Sequence, residues 1–280
     1  MHPILFQLGA ITSYTYGVLV AAGVILALLY ARRQAARAGL SPREIWNLGI
    51  YMIFSALAVS KLWLIFSGWR YFAAKPAALA SLALLESGGT FYGGVLGAVL
   101  MILLYSKARK LPLLPVFDIA AGALPLAHAI GRLGCFAAGC CFGKPTTLPW
   151  GVTFTDHAAA RLAGTPLGLP LHPTQLYEAA AEFLNFLLLV WLGARQRFDG
   201  QILASYFILY GAERGIIEFF RGDPGRTMMF DGTVSLMQIV SAGLVLTGSF
   251  LWWRGLRNAG ASSSQAQHAQ ANRTPATAVE

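Results

Sequence analysis

Charge is what this sequence has least of. Aspartate, glutamate, lysine and arginine make up 12% of its 280 residues, against 56% hydrophobic residues, where a soluble domain carries about 25% charged. That shortage excludes an ordinary soluble chain. Acidic residues are the scarcer sign, 12 against 21 lysines and arginines, and the net charge is +9. Cysteine is limited to three positions, all inside CFAAGCC, and none forms a Cys-x-x-Cys pair. The start, MHPILFQLGAITSY, has no basic leader, so a cleaved signal peptide is not expected. No internal repeat is apparent, which argues against an inverted-repeat transporter.

Apolar stretches are what the chain has in abundance. Seven approach or exceed the roughly 17–25 residues that cross a bilayer: 14–30, 45–66, 90–105, 116–136, 175–192, 202–220 and 234–253. The expected fold is an all-α integral membrane protein, with about seven transmembrane helices around a central lipid-binding cavity. Gly93, Gly94 and Gly97 interrupt the third stretch and Pro125 and His128 the fourth, the pattern of close helix contact or of a broken helix lining a cavity.

Basic residues set the orientation. Arg32, Arg33, Arg37 and Arg43 follow the first stretch, Lys107, Arg109 and Lys110 the third, Arg195 and Arg197 the fifth, and Arg254 and Arg257 the seventh. With seven spans all four groups fall on one side, so the N-terminus is expected outside and the C-terminus in the cytoplasm. Arg70, Lys75, Lys144, Arg161, Arg221 and Arg226 are spread over the longer loops of the opposite side. This bias explains most of the net charge, and no nucleic-acid partner is expected. Residues 1–257 read as one membrane domain. The small, polar stretch 258–280 reads as a disordered tail.

Two arginines lie within these apolar stretches, Arg132 and Arg214. A cation at that depth costs about 3 to over 10 kcal/mol unless it finds a partner. Its planar fork of donors suits phosphate, and the abundant phosphate of a membrane is a lipid head group. Each arginine follows a polar neighbour by four residues, His128 before Arg132 and Tyr210 before Arg214, so each pair shares a helix face. Snorkelling, or a structural pair with a carboxylate such as Glu213 or Glu218, is the alternative for each. Glycines after Arg132, among them Gly143, loosen the chain into a turn whose amides can help to hold an oxyanion. His172 opens HPTQLYEA, with Gln175, Tyr177 and Glu178 in the first turns of the next helix. That histidine can cap, bond a head group or accept a proton. Cys135, Cys140 and Cys141 read as small residues at a crowded turn, as a disulfide, or as a zinc site with His128 as fourth ligand. The first of these is adopted, and no metal is assigned.

Several ordered motifs give the chain a family resemblance. Tyr16-Gly17, SGGTFYGGVLGA, Asp118, GRLGCFAAGCCFGKPT, LHPTQLYEA and YGAERGIIEFFRGD together resemble bacterial prolipoprotein diacylglyceryl transferase. The resemblance implies transfer of the diacylglyceryl group of phosphatidylglycerol to the lipobox cysteine thiol of a prolipoprotein. The products would be a thioether and glycerol phosphate, and no cofactor is needed. It implies a multi-pass protein of the bacterial inner membrane, with its site toward the periplasmic or outer side and membrane lipids around it. Arg132, Arg214, His172 and His128 are then the candidate catalytic residues. Tyr16, Tyr210, Tyr92, Gly143, Gln175 and Glu178 join both arginines as substrate-binding residues. Tyr92, Cys135 and Cys140 depart from the family's usual histidine, asparagine and glutamate. A paralogue or transporter that binds anionic lipid without transfer is the alternative, and a membrane thiol oxidoreductase a second.

Overall fold

The computed structural model describes residues 3–8, 11–81 and 89–271. Nearly all of the regular structure is helical. A short hairpin, β1 (Ile4–Leu8) with β2 (Ile11–Tyr14), leads into α1 (Thr15–Arg37) and α2 (Pro42–Ser67). Then come α3 (Trp69–Ala74), α4 (Phe91–Arg109) and α5 (Leu113–Ala138). Beyond α5 a loop region holds β3 (Val152–Thr153), α6 (His157–Ala163) and β4 (Pro170–Leu171). The chain continues with α7 (Thr174–Gly193), α8 (Gln201–Ile217), the two-residue strands β5 (Met228–Met229) and β6 (Val234–Ser235), and α9 (Leu236–Ala271).

Among the described residues six helices, α1, α2, α4, α5, α7 and α9, are long and apolar enough to cross a membrane. The expected sixth stretch, 202–220, instead forms α8, a helix of 17 residues, followed by a 3-10 turn at Glu218–Phe220. Two further expectations change. The small antiparallel strand pairs were not foreseen, because strands of two to five residues carry too little alternation to detect. The last helix also continues to Ala271, through the first part of the segment expected to be disordered. Its sequence there is rich in alanine and glutamine, good helix formers, with no proline before Pro275. Residues 272–280 lie outside the described residues.

The chain divides into two units, Leu28–Phe117 and the combination of Met1–Ala27 with Asp118–Glu280. In the first, α2 and α4 pack through small residues. A β-carbon at Gly97 would stand 2.5 Å from the Ser55 carbonyl oxygen, and Ser55 Oγ donates to the Gly97 carbonyl at 2.8 Å. The glycines therefore serve close helix contact, and α4 is unbroken. Tyr92 belongs to this unit, half exposed and in edge contact with the Phe91 ring.

In the second unit α8 packs on α9 by the same device: Gly211 and Gly248 face the Ser241 and Ala204 carbonyls, at 2.7 and 2.6 Å from their would-be β-carbons. Pro125 lies inside α5, which remains one helix. Asp118 near its start supplies the cap that α8 lacks. Its carboxylate accepts from Gly200 N at 2.6 Å, Leu203 N at 2.9 Å and Gln196 Nε2 at 2.7 Å, satisfying amides that a helix start leaves open.

Candidate functional site

One face of α7 builds the site. Gln175, Glu178, Glu182 and Asn185 recur at three- and four-residue spacing in an otherwise apolar helix, so they form one polar stripe. All four are buried. A stripe of that kind needs partners, and α5 and α8 provide them.

Arg132 of α5 and Arg214 of α8 meet on Glu178. Arg132 Nη2 stands 2.6 Å from Glu178 Oε1, and Arg214 Nε stands 3.8 Å from the same oxygen. Arg214 Nη1 also pairs with Glu218 Oε2 at 2.7 Å, and Arg226 Nε donates to Glu218 Oε1 at 2.8 Å. The result is an alternating row, Arg132–Glu178–Arg214–Glu218–Arg226. Arg214 Nη1 is therefore engaged by Glu218, and Arg214 is held between two carboxylates. Arg132 Nη1 has only a 4.0 Å contact with Cys135 Sγ. Both arginines thus share one carboxylate, with Arg214 also paired to Glu218.

His128 is fixed from both sides. Its Nδ1 bonds Glu182, and its Nε2 accepts from Arg132 Nε at 3.1 Å. That assigns the neutral tautomer with the proton on Nδ1. Glu178 lies 3.7 Å from Nε2. The Tyr210 ring is 5.7 Å from the imidazole and stacks on Tyr206 at 5.5 Å. Tyr16 packs by its ring edge where α5 carries Gly134, 3.2 Å from the would-be β-carbon. Glu213, an alternative partner for Arg214 on sequence grounds, pairs with Asn185 instead.

A backbone junction closes one end of this set. Gly143 N donates to the His172 carbonyl at 3.0 Å, His172 N to Lys144 at 2.9 Å, Lys144 N to Phe220 at 2.8 Å, and Gly222 N to Phe142 at 3.1 Å. Three segments far apart in sequence are therefore tied where Gly143 has no side chain. The His172 imidazole is not among the arginines: its partners are the Tyr177 hydroxyl at 3.2 Å and the Phe220 ring at 5.2 Å. Arg221 forms a double hydrogen bond with Asp223, at 2.6 and 2.7 Å. Burial works against its charge, but the Asp223 carboxylate outweighs this and holds the guanidinium above its ordinary pKa.

The structure brings Arg132, Arg214, His128, Tyr210, Tyr16 and Glu178 into one neighbourhood. Gln175 stands beside it, donating to the Cys140 carbonyl at 2.7 Å. Glu182, Asn185, Arg221, Asp223 and Arg226 were missed. The four-residue step from Glu178 to Glu182 was the signal available. An apolar crevice of about 510 Å³, lined by Leu188, Trp191, Leu192, Ile208, Trp252 and Leu256 among others, contains none of the arginines and so is not the expected central cavity.

Comparison with known proteins gives a consistent result. The family model described as prolipoprotein diacylglyceryl transferase matches residues 3–254. The phosphatidylglycerol–prolipoprotein diacylglyceryl transferase of Clostridium tetani is 33% identical over 253 residues, covering 90% of this chain and 97% of its own. That of Geobacter sulfurreducens is 32% identical, with 89% and 93% covered. That of Synechococcus elongatus is also 32% identical, with 91% and 88% covered.

Proposed function

The chain belongs to the prolipoprotein diacylglyceryl transferase family, and on that premise we propose that it transfers the diacylglyceryl group of phosphatidylglycerol to the lipobox cysteine thiol of prolipoproteins. The products are a thioether-linked lipoprotein and glycerol phosphate. The observation that carries this reading is the meeting of Arg132 and Arg214 on Glu178. Two guanidinium groups that reach one carboxylate oxygen can reach one phosphate. A lipid phosphate entering there takes guanidinium donors that Glu178 and Glu218 hold in its absence. Preorganised donors of this kind stabilise charge as it develops on a leaving group, worth about 3–4 kcal/mol each.

His128 has the position of a proton acceptor. Its Nε2 lone pair is occupied by Arg132, and it is released when Arg132 turns to phosphate. Phosphate binding then exposes the base. Glu182 holds the imidazolium that forms. Tyr210 and Tyr16 orient the head group, Gly143 keeps the outer junction closed, and Gln175 steadies the cysteine turn. His172 serves the junction and the entrance. Tyr92 touches lipid or the incoming peptide from α4. In the membrane, α8 is the seventh crossing, with the N-terminus outside, the C-terminus in the cytoplasm, and the site toward the outer face of the bacterial inner membrane.

Mass spectrometry of a lipobox precursor coexpressed with this protein, in cells lacking other transferases of the family, tests the reading. A diacylglyceryl adduct on the cysteine is expected. Movement of labelled phosphatidylglycerol without any thioether would select a transporter instead.

A further inference from the structure

Three thiols lie beside the arginines, with Cys135 Sγ 4.0 Å from Arg132 Nη1, and have no role in holding phosphate. Cys135 lies in the last turn of α5, and Cys140 and Cys141 follow in the turn behind it. All three are free, and their Sγ atoms lie within 4.8 Å of one another. Filling space with small residues does not require this convergence, and the backbone maintains it against strain. Cys141 sits at φ +59°, a left-handed conformation that costs a residue with a β-carbon about 1 kcal/mol. Two fully buried side chains hold it there. Thr174 Oγ1 donates to the Cys141 carbonyl at 2.8 Å, and Gln175 Nε2 to that of Cys140 at 2.7 Å. Cys135 is buried and the other two are half-buried, so the cluster has an open side.

Three protein ligands with an open position are the ligand set of a reactive rather than a structural zinc site. Sulfurs about 2.3 Å from a tetrahedral zinc stand about 3.8 Å apart, a contraction that side-chain rotation supplies. Three thiolates and one divalent ion leave a negative centre, which suits Arg132 Nη1 at 4.0 Å from Cys135 Sγ. His128, the fourth ligand that the sequence allows, is tied to Glu182 and Arg132, and the fourth position stays free.

We propose that Cys135, Cys140 and Cys141 bind zinc, and that its fourth position receives the thiol of the incoming prolipoprotein cysteine; this rests on the transfer reaction proposed above. Coordination acidifies the thiol, whose proton passes to His128, the acceptor proposed above. The sulfur electron pair then forms the S–C bond to the glyceryl carbon as the C–O bond to phosphate breaks. Glycerol phosphate leaves with that bond's electrons, held by Arg132 and Arg214. Zinc remains divalent, and no oxidant or reductant is consumed. The contact between Cys135 and Arg132 is what sets nucleophile and leaving group side by side.

The full chain purified in detergent tests this. One zinc per chain is expected. Cobalt exchanged for zinc should give a sulfur-to-cobalt charge-transfer band, and its d–d bands should shift on adding a lipobox peptide with cysteine but not one with serine. A free thiol of pKa about 8.5 is only about 3% ionised at pH 7, so zinc-free protein should transfer about 30-fold more slowly there. That gap should close as pH rises past the thiol pKa, and added zinc should abolish it. Cys140→Ser, which preserves volume, should show the same pH-dependent gap. Failure to bind zinc or cobalt, or unchanged transfer after complete zinc removal, overturns the proposal. A peptide-dependent cobalt shift in protein that makes no thioether would leave the metal site standing and remove the transferase reading.

Discussion

Replacing Gly143 by alanine places one methyl group at the crossing of three chain segments. A β-carbon there would lie 2.5 Å from the His172 carbonyl oxygen and 2.8 Å from that of Phe220. Both are backbone atoms, so no side chain can rotate away. The segments must separate by several tenths of an ångström, which strains the bonds from Gly143 N to His172 and from Lys144 N to Phe220. Overpacking of this sort costs about 1–3 kcal/mol, and weakening two hydrogen bonds adds about 1 kcal/mol each at most. The total is about 1–5 kcal/mol. Gly131→Ala is the internal control, since its nearest neighbour would stand 3.9 Å away. Thermal unfolding in detergent should show Gly143→Ala clearly less stable and Gly131→Ala close to the parent. Transfer to a lipobox peptide should fall only for the first. Equal midpoints and equal turnover in the two variants would refute the junction as described.

Two further outcomes follow from the same geometry. Asp118→Ala removes two hydrogen bonds that cap α8 and a third to the Gln196 side chain and should cost about 1–3 kcal/mol. Asp118 lies fourteen residues before Arg132, about 21 Å along α5, so kcat/KM should hardly change below the new unfolding midpoint. Glu178→Gln keeps the shape of the side chain but removes the charge shared by Arg132 and Arg214. It should destabilise by about 3–5 kcal/mol, and inorganic phosphate should restore part of that loss in a thermal shift assay; no response to phosphate would argue against an anion site between the arginines.

The helices were legible in the sequence because burial in lipid leaves unbroken apolar runs, and the arginines because charge is costly there. Four-residue spacing correctly placed His128 beside Arg132. What no local pattern carries is which distant groups meet. That Arg132 and Arg214 share Glu178, rather than each finding a private carboxylate, depends on the rotation of α7 against α5 and α8. The stripe from Gln175 to Asn185 was readable, yet it looks like an ordinary helix start until Glu182 and Asn185 are counted with it. The junction of Gly143, His172 and Arg221 was hidden for another reason. Single bridges of extended chain leave no period to detect, and Gly143 is marked only by what its missing side chain permits. The cysteine turn was read as packing because CFAAGCC gives no hint that Cys141 adopts a left-handed conformation and brings the three sulfurs together.

The most direct measurement concerns the two arginines. Arg132→Ala and Arg214→Ala, each checked for a cooperative unfolding transition, are assayed with labelled phosphatidylglycerol and a lipobox peptide. Each should lose about 100-fold or more in kcat/KM, and the double variant should lose far less than the product of the two, as expected of groups acting on one phosphate. Near-parental turnover in either folded variant, or losses that simply multiply, would contradict a single phosphate held between them.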